Sequence, residues 1–220
     1  MDVGDRLHRL QADLATVCRR VGRDPNSVRI LGVTKAQPRA SVEAAIATGI
    51  TDIGENYVQE ATTKYADLPP VRKHFIGHLQ TNKARAVARI FDVVQSIDRA
   101  DAGRSLAKAA ATLDNRPPDV LVQVNVSPAE RYGALPAEAP RLADELRDMG
   151  LHVDGVMAIG PVTTDRDAIR RAFEAAARTF DSVGGTTLSM GMSGDWELAV
   201  EAGSTMIRMG TALFGARRTP

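Results

Sequence analysis

Of the 28 basic residues in this chain, five are lysine, at positions 35, 64, 73, 83 and 108, and Lys35 directly follows the apolar run VRILGVT at 28–34. A chain that otherwise meets its need for surface cations with arginine has placed a primary amine where an apolar strand ends. In a partly apolar pocket the charged form of an amine is penalised, its pKa falls, and its lone pair becomes free to attack an aldehyde. Arginine cannot do this; a Schiff base requires lysine. The competing reading is a solvated lysine at a strand end, and the residue alone leaves both open.

Two other segments suit an anion. SMGMSGD at 189–195 leads from an apolar run toward the helix-like DWELAVEAG, and its small residues let backbone amides approach a ligand. A helix N-terminus adds unpaired N–H groups and a favourable dipole. Ser193 also reads as a helix N-cap. RMGT at 208–211 follows the last apolar run.

The elements that must position these residues follow from the alternation of apolar runs with Ala-rich stretches. VRILGVT (28–34), TDIG (51–54), KHFIG (73–77), FDVVQS (91–96), DVLVQVNV (119–126), HVDGVMAI (152–159), TTLSM (186–190) and TMIRMG (205–210) read as eight strands. Helix-like stretches lie between them at 40–48, 58–66, 81–88, 100–113, 137–149, 167–180 and 195–201. Strands and helices alternating at this spacing predict parallel βαβ units and, with eight of them, a closed (β/α)8 barrel. An amphipathic helix precedes the first strand, with Val3, Leu7, Leu10, Leu14, Val17 and Val21 on one face and Gly22 and Pro25 after it. Only TALFGARRTP follows the eighth strand, so the leading helix is expected to stand in for a closing one. The alternative is an open doubly wound sheet, but GVTKAQP is not the Gly-rich dinucleotide turn that would go with it.

Composition narrows the function classes. The 220 residues are 44% hydrophobic and 25% charged with a net charge of +1, which fits one globular domain and disfavours a broad basic face for nucleic acid. Aromatic residues at 4% supply few platforms for stacking single-stranded bases. No apolar stretch is long enough for a bilayer span, the N-terminus lacks a signal-peptide core, and the single Cys18 fits a reducing compartment. The expectation is a cytoplasmic monomer. His74 and His78 lie four apart across a strand end rather than on one helical face, so no metal site is expected. GMSGD is not the GxSxG of a nucleophile elbow.

In a barrel of this type, chemistry gathers at the C-terminal ends of the strands, and a phosphate site after strands seven and eight is recurrent. SMGMSGD and RMGT occupy those places, and strand one neighbours strand eight. The amine and the anion site therefore converge on one ligand carrying an aldehyde and a phosphate. Pyridoxal 5′-phosphate has both.

Several blocks in order, LGVTKAQP (31–38), DIGENYVQE (52–60), HFIGHLQTNK (74–83), QSID (95–98), VLVQVNVS (120–127), GVMAIGP (155–161) and LSMGMSGDWELAVEAGSTMIRMGTALFG (188–215), resemble the pyridoxal-phosphate homeostasis protein family, which is like the N-terminal domain of alanine racemase. The resemblance implies a (β/α)8 barrel with the cofactor as an aldimine on Lys35. It further implies a phosphate held by Ser193 and the Gly210–Thr211 turn with Met192 alongside, Arg208 facing the pyridine nitrogen, and Asn56 and His78 lining the mouth. Members often carry a second lysine two places after the first, where this chain has Gln37, and Lys-Ser-Gly where it has Arg131–Tyr132–Gly133. These departures put accessory lysine roles in doubt.

The family implies a carrier that keeps a reactive aldehyde at a safe level, with transient contact to apo-enzymes and other B6 vitamers as further ligands. The alternative is an amino-acid racemase, which needs acid/base groups on both faces of the substrate. In alanine racemases one of these is a tyrosine from a further domain. No counterpart is expected here, with Tyr57 and Tyr132 as distant substitutes, and an arginine opposite the pyridine nitrogen weakens the electron sink.

Overall fold

The β-branched runs are continuous rather than alternating because both faces of each strand are covered, by helices outside and by side chains within. The computed structural model describes residues 2–113, 116–127, 129 and 131–215. Eight parallel strands, β1 (Arg29–Val33), β2 (Asp52–Glu55), β3 (Arg72–Phe75), β4 (Val93–Ile97), β5 (Asp119–Val124), β6 (Val153–Ala158), β7 (Thr187–Ser189) and β8 (Met206–Met209), pair in chain order and close into a barrel. Each run expected to be a strand supplies one, its ends moved by no more than two residues. Closure is made by β8 on β1, with Leu31 opposite Arg208 and Gly32 opposite Met209.

The helices are α1 (Val3–Arg20), α2 (Arg39–Ala47), α3 (Val58–Lys64), α4 (Ala84–Ile90), α5 (Ala100–Thr112), α6 (Ala139–Asp148), α7 (Arg166–Val183), α8 (Trp196–Glu201) and the single turn α9 (Thr211–Phe214). The stretch expected as one helix at 81–88 is a 3-10 turn over Thr81–Lys83 that runs into α4.

Helix α1 starts at a reciprocal cap: the Asp2 carboxylate accepts the Asp5 amide and the Asp5 carboxylate accepts that of Asp2. Leu7, Leu10, Leu14 and Val17 are buried as their spacing predicts, but Cys18 completes the face. Val21 is 37% exposed because the helix ends at Arg20 and leaves it in the cap. Helix α1 packs on α2, α8 and α9, and Arg6 donates to the Phe214 carbonyl. Leu213 and Phe214 of α9 lie against the outer face of β1 at Gly32. The leading helix and α9 together thus close the ring where a full eighth helix would stand. Among the described residues no helix is long and apolar enough to cross a membrane.

Candidate functional site

Lys35 follows β1 after one residue and is half-buried. Its neighbour Thr34 is fully buried, with its hydroxyl 2.7 Å from the Tyr65 hydroxyl and 3.1 Å from Glu55 Oε2. Ala36 on the other side has φ +57°, a left-handed conformation that a non-glycine residue holds only when its surroundings impose it. The Lys35 amine has no hydrogen-bond or ion-pair partner among the described residues.

The turns after β7 and β8 meet each other and β1. Ser193 Oγ accepts the Ala212 amide at 3.4 Å, and a Cβ built on Gly210 would lie 3.7 Å from Val33 Cβ. Ser193 is not the N-cap of α8, as one sequence reading had it. Asp195 is the capping residue, and its Oδ1 accepts the Met192 amide at 2.6 Å. The Met192 amide is therefore already engaged, and its side chain is 40% exposed. The amides of Ser193, Gly194, Gly210 and Thr211 donate to no acceptor among the described residues. Gly191 makes the turn possible: at φ +96°, any Cβ would come within 2.6 Å of Ala199 Cβ on α8.

Arg208 sits in β8 with 4% of its surface exposed. One terminal nitrogen donates to Ser189 O at 2.7 Å and Ser189 Oγ at 2.9 Å, and the other to Ala158 O at 2.8 Å. Burial pulls its pKa down to about 10, against the opposing charge of Asp195. A chain of hydrogen bonds runs from this guanidinium through the barrel. Ser189 Oγ donates to Gln95 Oε1 at 2.7 Å, Gln95 Nε2 to His74 Nδ1 at 2.9 Å, and His74 Nε2 to Asp52 Oδ1 at 2.8 Å. Sequence reading missed His74, Gln95, Ser189 and Asp52 as a set, since they lie on four strands and meet only once the barrel closes.

Burial lowers the His74 pKa, more than its bond to Asp52 and the charge there raise it, so the ring is neutral. Burial raises Asp52, but its bonds to His74 and Thr51 and the charge of Arg29 outweigh that and leave it low. Below the ordinary histidine pKa of about 6.5 the unfolded chain takes up a proton that the folded ring refuses. Stability is therefore expected to fall as pH drops through that value toward the depressed folded pKa. The Asp52 contribution, present above about pH 3.9, is lost as pH falls through its own lowered pKa. Thermal melts from pH 7 to pH 5 should show a falling Tm, less steep in His74→Gln; identical slopes would remove His74 from the account.

Asn56 and His78 lie after β2 and β3. Asn56 Oδ1 and His78 Nδ1 are buried without a hydrogen-bond partner among the described residues, with Asp98 Oδ2 3.8 Å from the His78 nitrogen. Arg99 donates to His78 Nε2 at 3.3 Å, and the imidazole stacks on Tyr132 at 3.8 Å with an 18° interplanar angle. On the β5–β6 side, a cavity of about 630 Å³ is lined by Gln123, Val124, Asn125, Arg131, Tyr132 and Ile159. The departures at Arg131 and Tyr132 thus border the mouth. Among the described residues no group of three or more His, Cys, Asp or Glu side chains is placed to hold a metal ion.

A closed parallel eight-stranded barrel with polar groups after β1, β7 and β8 belongs to the class of (β/α)8 barrels, in which chemistry gathers at the C-terminal strand ends. The family model described as alanine racemase, N-terminal domain, matches residues 6–218. A pyridoxal phosphate homeostasis protein of Pseudomonas aeruginosa is 40% identical, covering 98% of this chain and 96% of its own. One of Escherichia coli K12 is 36% identical over 98% and 97%. The structure of PipY from Synechococcus elongatus with PLP bound superposes with a TM-score of 0.80 at 34% identity, covering 97% of this chain and all of that one. The chain belongs to the pyridoxal phosphate homeostasis protein family, within the alanine racemase N-terminal domain family.

Proposed function

We propose that this protein binds pyridoxal 5′-phosphate through Lys35 and serves intracellular homeostasis and delivery of that cofactor rather than turnover of a substrate. The observation that carries the reading is the pairing of β1, which Lys35 follows, with β8, whose following turn meets the turn after β7; four backbone amides in those turns donate to no acceptor among the described residues. The donor set fits the group: an amine for its aldehyde, amides and the Ser193 and Thr211 hydroxyls for its phosphate, and the buried Arg208 for the ring. Asn56 and His78 border the mouth with buried polar atoms that make no hydrogen bond among the described residues. The names of the relatives and the PLP bound to PipY support the same ligand.

When bound, the cofactor supplies an electrophilic aldehyde and an anionic tail. Lys35 Nζ would supply the primary amine that holds the group through that aldehyde. Ser193, Thr211 and the amides around them hold the anion. Arg208, fixed by Ser189 and Ala158, presents a cation where an enzyme using the ring as electron sink would place an acid.

Titrating the purified protein with pyridoxal 5′-phosphate should give a visible imine band and a borohydride-trapped adduct on Lys35, and a panel of D- and L-amino acids should show no robust racemisation. Rapid turnover would replace the carrier reading by that of a racemase. Ser193→Ala combined with Thr211→Ala removes two hydroxyl donors at about 1 kcal/mol or more each. It should weaken cofactor affinity by roughly tenfold or more with an unchanged melting curve; unaltered affinity would place the phosphate elsewhere.

A further inference from the structure

We propose that Lys64 is a positioning residue for Lys35, its ammonium bracing the backbone on both sides of that lysine; the inference rests on Lys35 being the attachment residue. Lys64 ends α3 and is 8% exposed. Its Nζ donates to the Thr34 carbonyl at 2.7 Å, to Glu55 Oε2 at 2.8 Å and to Glu60 Oε2 at 2.9 Å. An ammonium has three N–H donors and all three are used. Glu60 Oε2 also accepts the Ala36 amide at 3.0 Å. Thr34 is thus gripped through its carbonyl and Ala36 through its amide, from one cation, with Lys35 between them.

The brace explains two features at once. Ala36 holds its left-handed φ because its amide is tied to Glu60. A buried ion pair adds little net stability over apolar packing, so a cation with three acceptors beneath a short turn is better accounted for by the geometry it imposes. Attack on a carbonyl depends on the approach of the amine, and a small displacement is costly. The arrangement also separates the two lysines chemically. With every N–H of Lys64 engaged by an acceptor, its nitrogen cannot approach an aldehyde, whereas Lys35 has no such partners.

The test uses the full chain with two ligands that share a ring and a phosphate: pyridoxal 5′-phosphate, and pyridoxine 5′-phosphate, which carries an alcohol in place of the aldehyde. Glu60 is the milder lesion, since 37% of its side chain is exposed. In Glu60→Ala, affinity for pyridoxine 5′-phosphate should stay within about twofold of the parent, while the imine band forms more slowly and its apparent dissociation constant rises roughly tenfold. Glu60→Gln, whose amide oxygen can still accept the Ala36 N–H, should restore most of the loss. Lys64→Met should lose more of the band than Glu60→Ala. Equal weakening of both ligands would mean that the brace only supports the fold, and unchanged imine formation in Glu60→Ala and Lys64→Met would mean that it positions nothing; either overturns the inference while leaving attachment at Lys35 intact. A trapped adduct that persists in Lys35→Ala overturns the attachment reading, and the inference with it.

Discussion

Replacing Lys35 by alanine should abolish the visible band and leave no borohydride-trapped label on the protein. Lys64 is committed to three acceptors, and the other lysines lie in β3 (Lys73), in the turn before α4 (Lys83) and in α5 (Lys108), away from β1, β7 and β8 in the strand order. What remains in the variant is non-covalent: the unspent amides, the two hydroxyls and Arg208. Cofactor affinity is therefore expected to drop by at least about tenfold, or about 1.4 kcal/mol, without disappearing. Lys35→Arg separates charge from nucleophilicity. It keeps a cation near Glu60 but has no amine to form a C=N bond, so it should also fail to trap label while retaining weak, salt-sensitive binding. Full trapping in either variant, mapped by mass spectrometry to another lysine, would move the site.

The second large effect is structural and falls at the mouth. Gly77 lies between β3 and His78, and a Cβ there would sit 2.1 Å from the Asn56 carbonyl oxygen and 3.0 Å from Asn56 Cα. These are backbone atoms that no rotamer change can move aside. Gly77→Ala must push apart the loops carrying Asn56 and His78, at a cost of about 3 kcal/mol by analogy with overpacked cores. For a chain of this size that corresponds to a Tm lower by roughly 10 °C. Calorimetry of the variant against the parent measures it, and a shift under about 2 °C would show that the two loops yield freely. The cofactor affinity of the folded fraction then reports whether the spacing of Asn56 and His78 matters to the ligand.

The strands were legible because parallel strands covered on both faces read as unbroken apolar runs, and each such run forms one. Helix α1 was legible from its 3.6-residue period, which failed only where the helix stopped: Val21 lies in the cap and Cys18 takes the last buried place. Lys35 and the Gly210–Thr211 turn stood out as unusual residue types at strand ends. Lys64 did not, although the signal was there. Val58, Ala61 and Lys64 fall on one face of α3, and a lysine in phase with buried residues has to meet acceptors.

The sequence by itself determined the order of the elements, the end of the barrel at which chemistry gathers and the residue types available there, because periodicity and residue chemistry are local properties of a chain. Only the tertiary structure decided which polar groups are already spent. It showed that the Met192 amide belongs to Asp195, that Ser193 faces α9 rather than capping α8, and that His78 lies against Tyr132. It also joined Arg208 to Asp52 through Ser189, Gln95 and His74. Hydrogen bonds between residues this far apart in the chain depend on strand register and on closure of β8 against β1, and no local pattern encodes either.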